Sequence, residues 1–162
     1  MEFPDKRRVL DKLVASLSAT LTQMATAAEE IRKDATHEEA KPENDKDTRA
    51  LEQSYLARGQ ALRAESMVEQ VQMLRNLSLP KLGPEDVIQA GALIELEEED
   101  TARCVFLAPH GGGTSLEVDG IPVTVVTPVS ALGRALLGRH VGDDIELRVK
   151  ASVRAYSVAK IA

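Results

Sequence analysis

From Asp5 to Ile31 apolar residues recur at Leu10, Leu13, Leu17, Leu21, Met24, Ala28 and Ile31. Spacings of three and four place them on one stripe of a helix, which Val9, Val14 and Ala27 widen. Pro4 and Asp5 stand at its start, where proline is tolerated and an acidic side chain is favoured. A second helical pattern runs from about Thr48 to Leu77, with Leu51, Tyr55, Leu62, Val68, Val71 and Leu74 joined by the small Ala57, Ala61 and Ala64. Both stripes are narrow and the opposite faces are charged, so each helix has apolar surface for one neighbour. An antiparallel coiled-coil hairpin follows. At 1.5 Å per residue, about 26 residues make an arm roughly 40 Å long. Pro42 removes a backbone donor and disfavours helical geometry at Lys41, so the chain turns there.

Beyond Leu79-Pro80 the period shortens. Leu82-Gly83-Pro84 reads as linker, and strand-like runs follow: AGALIEL from Ala90, RCVFL, TSLEV, IPVTVV, IELRV and RAYSVAKI. Turn chemistry separates them at Glu97 to Asp100, Pro109 to Gly113, Asp119-Gly120 and Gly142-Asp143. One helix interrupts the strands, over Ala131 to Leu137, with Ser130 as its N-cap and Gly138 ending it. The predicted class is α+β. A helix hairpin occupies 1–79 with its tip at about 35–47, a linker 80–89, and a mostly antiparallel sheet domain with one short helix 90–162.

Charge singles out the hairpin tip. Between Asp34 and Asp47 stand Asp34, Glu38, Glu39, Glu43, Asp45 and Asp47 against Lys41 and Lys46, in a chain of formal net charge -6. Taken alone, such a cluster is a solvated helix-helix turn. With two Phe, two Tyr and no Trp, the chain has few flat side chains for stacking bases. An acidic balance also disfavours free nucleic acid as the main partner. Cys104 is the single cysteine, which rules out an internal disulfide and zinc spacing. The N-terminal MEFPDKRRVLDKL has no apolar run, and no later stretch reaches membrane-spanning length. The expectation is a soluble cytoplasmic monomer that makes no membrane contact.

Two stretches carry a family likeness. Thr127 to Leu147, TPVSALGRALLGRHVGDDIEL, resembles the C-terminal signature of the bacterial Gre transcript-cleavage factors, in which Ser-Pro-x-Ala-Arg-Ala-Leu-x-Gly precedes a Val-Gly-Asp turn. Ala131 and Gly133 depart from that signature. Glu43-Asn44, Ala50, Glu52-Gln53 and Gly59 resemble the tip and descending helix of the family's coiled coil. The order, hairpin first and sheet last, matches over nearly the whole chain.

The resemblance implies an FKBP-like sheet domain and a transcription elongation regulator that binds RNA polymerase and inserts its coiled-coil tip into the secondary channel. There it would meet the nascent RNA 3′ end only within the polymerase. The factor is then an accessory protein, with no intrinsic catalytic residue and no stably bound cofactor. Its tip carboxylates would help the polymerase active site hold a shared magnesium ion, a hard cation that takes oxygen ligands. Glu43 matches the family glutamate and is the implied magnesium ligand, whereas Ala40 replaces the family aspartate; Glu39 and Asp45 are the carboxylates able to substitute. Ser130, Leu132 and Arg134 carry over as polymerase-docking residues. The alternative within this reading is a non-cleaving competitor for the channel.

A more distant alternative is an FKBP-like prolyl isomerase or holdase, which needs aromatic pocket walls, and only Phe106 and Tyr156 lie in the sheet domain. His110-Gly111-Gly112-Gly113 has the composition of a lipase oxyanion loop, but no Gly-x-Ser-x-Gly turn accompanies it. His37 beside the tip reads as an exposed residue.

Overall fold

The computed structural model describes residues 2–38 and 48–162. Two long helices, α1 (Lys6–Glu38) and α2 (Thr48–Arg75), precede six strands: β1 (Leu93–Glu98), β2 (Thr101–Leu107), β3 (Ser115–Val118), β4 (Ile121–Val126), β5 (Asp144–Val149) and β6 (Ser152–Ile161). A short helix, α3 (Ala131–Leu136), lies between β4 and β5. The fold is α+β, two long helices followed by a mostly antiparallel sheet with one short helix. Helix α1 continues through Glu38, so residues 35–38 of the expected tip are helical.

The described residues form two compact units. The first joins Met1–Ala15 to Met73–Ala162. Its sheet has the order β3-β4-β2-β1-β6-β5, and every pairing is antiparallel except β2 with β4. That parallel pair arises because the chain leaves β2, passes through the glycine-rich 109–113 loop, and returns by the tight β3–β4 hairpin. Asp119 and Gly120, both at positive φ, make the two-residue turn that sheet twist favours.

Successive residues of β1 point to opposite faces, yet Leu93 through Leu96 are all buried, so both faces of the sheet centre are covered. On one face Ile94, Leu96, Val105, Leu107, Leu136, Ile145 and Val158 form the main core. The first turns of α1 are also part of this unit: Val9, Leu10 and Leu13 are no more than 1% exposed. Polar contacts hold them there. Arg8 reaches Asp119 at 2.6 Å, Lys12 donates to the Glu117 carbonyl, and Lys6 to that of Pro80.

The second unit is Ser16–Gln72. Here the α1 stripe fades: Leu17, Leu21 and Met24 are half-buried and Ile31 is exposed. Thr20, Thr22 and Thr26 donate their hydroxyls to carbonyls one turn back, which satisfies them within the helix. Helix α2 keeps part of the expected stripe. Ala64, Val71 and Leu74 are covered, joined by Gln60, Met67 and Gln70, whereas Leu51, Tyr55, Leu62 and Val68 face solvent. Periodicity weights the largest apolar residues, and ahead of Val71 the covered line carries polar, small or flexible side chains instead.

Candidate functional site

The segment that carries the family likeness in the sheet domain folds as a strand end, a capped helix and a tight turn. Ser130 is extended (φ -72, ψ 159) and caps α3: its Oγ accepts from the Gly133 N–H at 3.0 Å and donates to the Thr127 carbonyl at 2.7 Å. The same carbonyl accepts the Ser130 N–H. Gly133 is required by this crossing, since a Cβ there would lie 1.9 Å from the Thr127 oxygen. Gly138, at positive φ, ends the helix and donates to the Ile88 carbonyl. The Val141-Gly142-Asp143 turn is pinned in turn, with Gly142 N–H on the Val158 carbonyl and the Asp143 carboxylate accepting from His140 N–H.

The three residues named from sequence have different surroundings. Ser130 serves the cap, Leu132 packs against the core, and Arg134 is exposed. Val129, which was not among the docking residues named from sequence, is 78% exposed. A signal was present: an apolar residue before an N-cap packs against the fourth helical position, and that position is Arg134, so Val129 has no staple partner. Beside α3 runs a shallow groove lined by Gly112, Gly113, Thr127, Ser130 and Leu132. The arrangement offers an apolar knob and a guanidinium on a rigid, capped support, which suits docking to a protein surface and places no nucleophile or general base.

The glycine-rich loop is a packing element. Gly111, at φ 82, brings the backbone against Leu13, to which a Cβ would approach within 2.8 Å; Gly112 does the same toward Thr127. His110 Nε2 lies 3.0 Å from Met73 Sδ, and the Gly113 N–H is engaged by the Val125 carbonyl. An oxyanion hole needs unengaged, convergent donors, and here the Gly113 donor is engaged by the sheet and that of Thr114 by the Gly111 carbonyl.

The tip carboxylates Glu39, Glu43 and Asp45, and Ala40 between them, lie outside the described residues. Among the described residues no group of three or more His, Cys, Asp or Glu is placed to hold a metal ion. Phe106 is wholly enclosed and Tyr156 is 7% exposed, so neither ring offers a wall to a proline peptide. No helix among the described residues is long and apolar enough to cross a membrane.

No protein-family model matches the chain, and no curated protein matches its sequence. Solved structures do. The chain is similar to Gfh1 of Thermus aquaticus, at 22% identity over 91% of this chain and 92% of that one with a TM-score of 0.38. It is similar to GreA factor homolog 1 of Thermus thermophilus, at 20% identity over 92% and 94% with a TM-score of 0.37. A prokaryotic transcription elongation factor GreA/GreB from Nitrosomonas europaea matches at 17% identity over 59% of this chain and 77% of its own, with a TM-score of 0.36.

Proposed function

We propose that this protein is a Gre-like transcription elongation regulator that docks on RNA polymerase through the α3 region and directs its helical tip into the secondary channel. The observation that supports this most is local. The sequence that resembles the Gre signature, Thr127 to Leu147, builds a capped helix preceded by an exposed Val129 and bearing an outward Arg134. Arginine is a residue type enriched at binding hot spots, and Val129 adds exposed apolar surface beside it on a helix held by its own hydrogen bonds. In this reading the protein is an accessory factor, and RNA cleavage belongs to the polymerase.

The test is binding of the full chain to core RNA polymerase. Val129→Asp with Arg134→Glu is expected to weaken association at least tenfold while leaving the circular dichroism spectrum unchanged. Failure of the unaltered chain to associate would overturn the reading.

A further inference from the structure

We propose that the solvent-facing side of α2 pairs with the same side of a second copy of this chain, antiparallel, about a two-fold axis passing between Leu56 and Ala57. Three large apolar residues of one helix are left uncovered there: Leu51 is 61% exposed, Tyr55 69% and Leu62 59%. At about 100° per residue they fall within about 40° of one another, on the side opposite the covered Met67 and Val71. Arg58 sits among them on the same stripe.

The stripe is complementary to itself. In an antiparallel pair a two-fold axis makes each contact twice, and residues equally far from the axis face each other. Setting Leu51 against the partner's Leu62 brings Tyr55 against the partner's Arg58, so that a guanidinium meets a phenol ring in both halves. Glu52 and Arg63 border the same side of the stripe, and in antiparallel helices a flank meets its own kind, so Glu52 lies two residues, about 3 Å along the axis, from the level of the partner's Arg63, within reach of two long side chains. Apolar and cation–π positions thus match in a single register, with an ionic contact offset beside it. About three turns of helix cover far less than the roughly 800 Å² per partner of a standard interface, so the pair is weak and reversible. Pairing would cover a face of the arm, and, on the proposed function above, would compete with channel entry.

Sedimentation velocity of the full chain, without polymerase, tests self-association separately from that reading. Over a hundredfold range of concentration the weight-average sedimentation coefficient should rise toward that of a dimer. Tyr55→Ala with Leu62→Ser should raise the dissociation constant at least tenfold with helix content retained. Glu52→Arg should weaken pairing as well, and Glu52→Arg combined with Arg63→Glu should restore it. A chain that stays monomeric throughout, or a dimer indifferent to Tyr55, Leu62 and the charge swap, would overturn the proposal.

Discussion

A methyl group at residue 133 would overlap the Thr127 carbonyl oxygen, and that oxygen also receives two hydrogen bonds from Ser130. Gly133→Ala must therefore move the backbone at the cap, and a cost of about 1–3 kcal/mol is expected in urea unfolding. Sequence made Ser130 legible as a cap, because Ser before a helical run has a local meaning. It did not make Gly133 legible, because the obstructing atom belongs to the strand end and only the crossing reveals it. The His110 to Gly113 loop failed for the same reason: its glycines answer to Leu13 and Thr127, distant in the chain. Cys104 adds a pH dependence. Burial, aided by the negative charge of Glu95, pushes its thiol from about 9 up to about 11, which favours the protonated form in the folded state. Below pH 9 the thiol is protonated in both states and contributes nothing to the slope. Between pH 9 and 11 the unfolded chain releases its proton first, so stability falls as pH rises. At 1.36 kcal/mol per pKa unit the two units set an upper bound of about 3 kcal/mol on the loss. Unfolding measured at pH 8 and pH 11 should show this decline, and Cys104→Ala should remove that part of it.

Helix α1 belongs to two different environments along its length. Its first turns are enclosed beside the sheet, with Leu10 1% and Leu13 0% exposed, while Ile31 toward its other end is 41% exposed. Helices of this kind derive most of their stability from tertiary packing, so protection should follow burial and not helical length. Leu10→Ala is expected to cost about 2–5 kcal/mol and to lower the cooperative unfolding of the sheet. Leu62→Ala, on an exposed face of α2, should change stability by less than about 0.5 kcal/mol. Thermal unfolding of the two variants checks the contrast, and amide exchange should slow toward the start of α1. The existence, order and type of both helices were legible in the three-four spacing. The covered face of α2 was legible at Ala64, Val71 and Leu74 but not at Gln60 and Met67, which stand outside the sequence stripe yet occupy that face. In the sheet, alternation and turn residues located the strands, but β2 beside β4 in parallel depends on where a loop leads the chain.

At the scale of the whole molecule, the proposed function assigns docking and cleavage to different parts of the chain, and that separation yields the last prediction. The docking candidates Val129 and Arg134 are in the sheet unit, whereas the carboxylates the sequence offers for magnesium are Glu39, Glu43 and Asp45. The Gre family that the tip resembles pairs an aspartate with the glutamate, and this chain has Ala40 in the aspartate's place. A hard divalent ion that keeps several waters is held poorly by one protein oxygen, so the second carboxylate decides how much cleavage the factor supports. On the proposed reading, the unaltered protein should bind polymerase and shorten backtracked RNA weakly, and Glu43→Ala should abolish what activity there is. Ala40→Asp should raise cleavage above the starting level. Polymerase affinity should stay within about twofold in both variants, because neither change touches the α3 surface, and distant substitutions act independently. A purified backtracked elongation complex with magnesium, followed for RNA length and for factor binding in parallel, separates the two quantities. Strong cleavage that survives Glu43→Ala would transfer the ligand role to Glu39 and Asp45, while loss of binding on Glu43→Ala would mean that the tip itself anchors the protein.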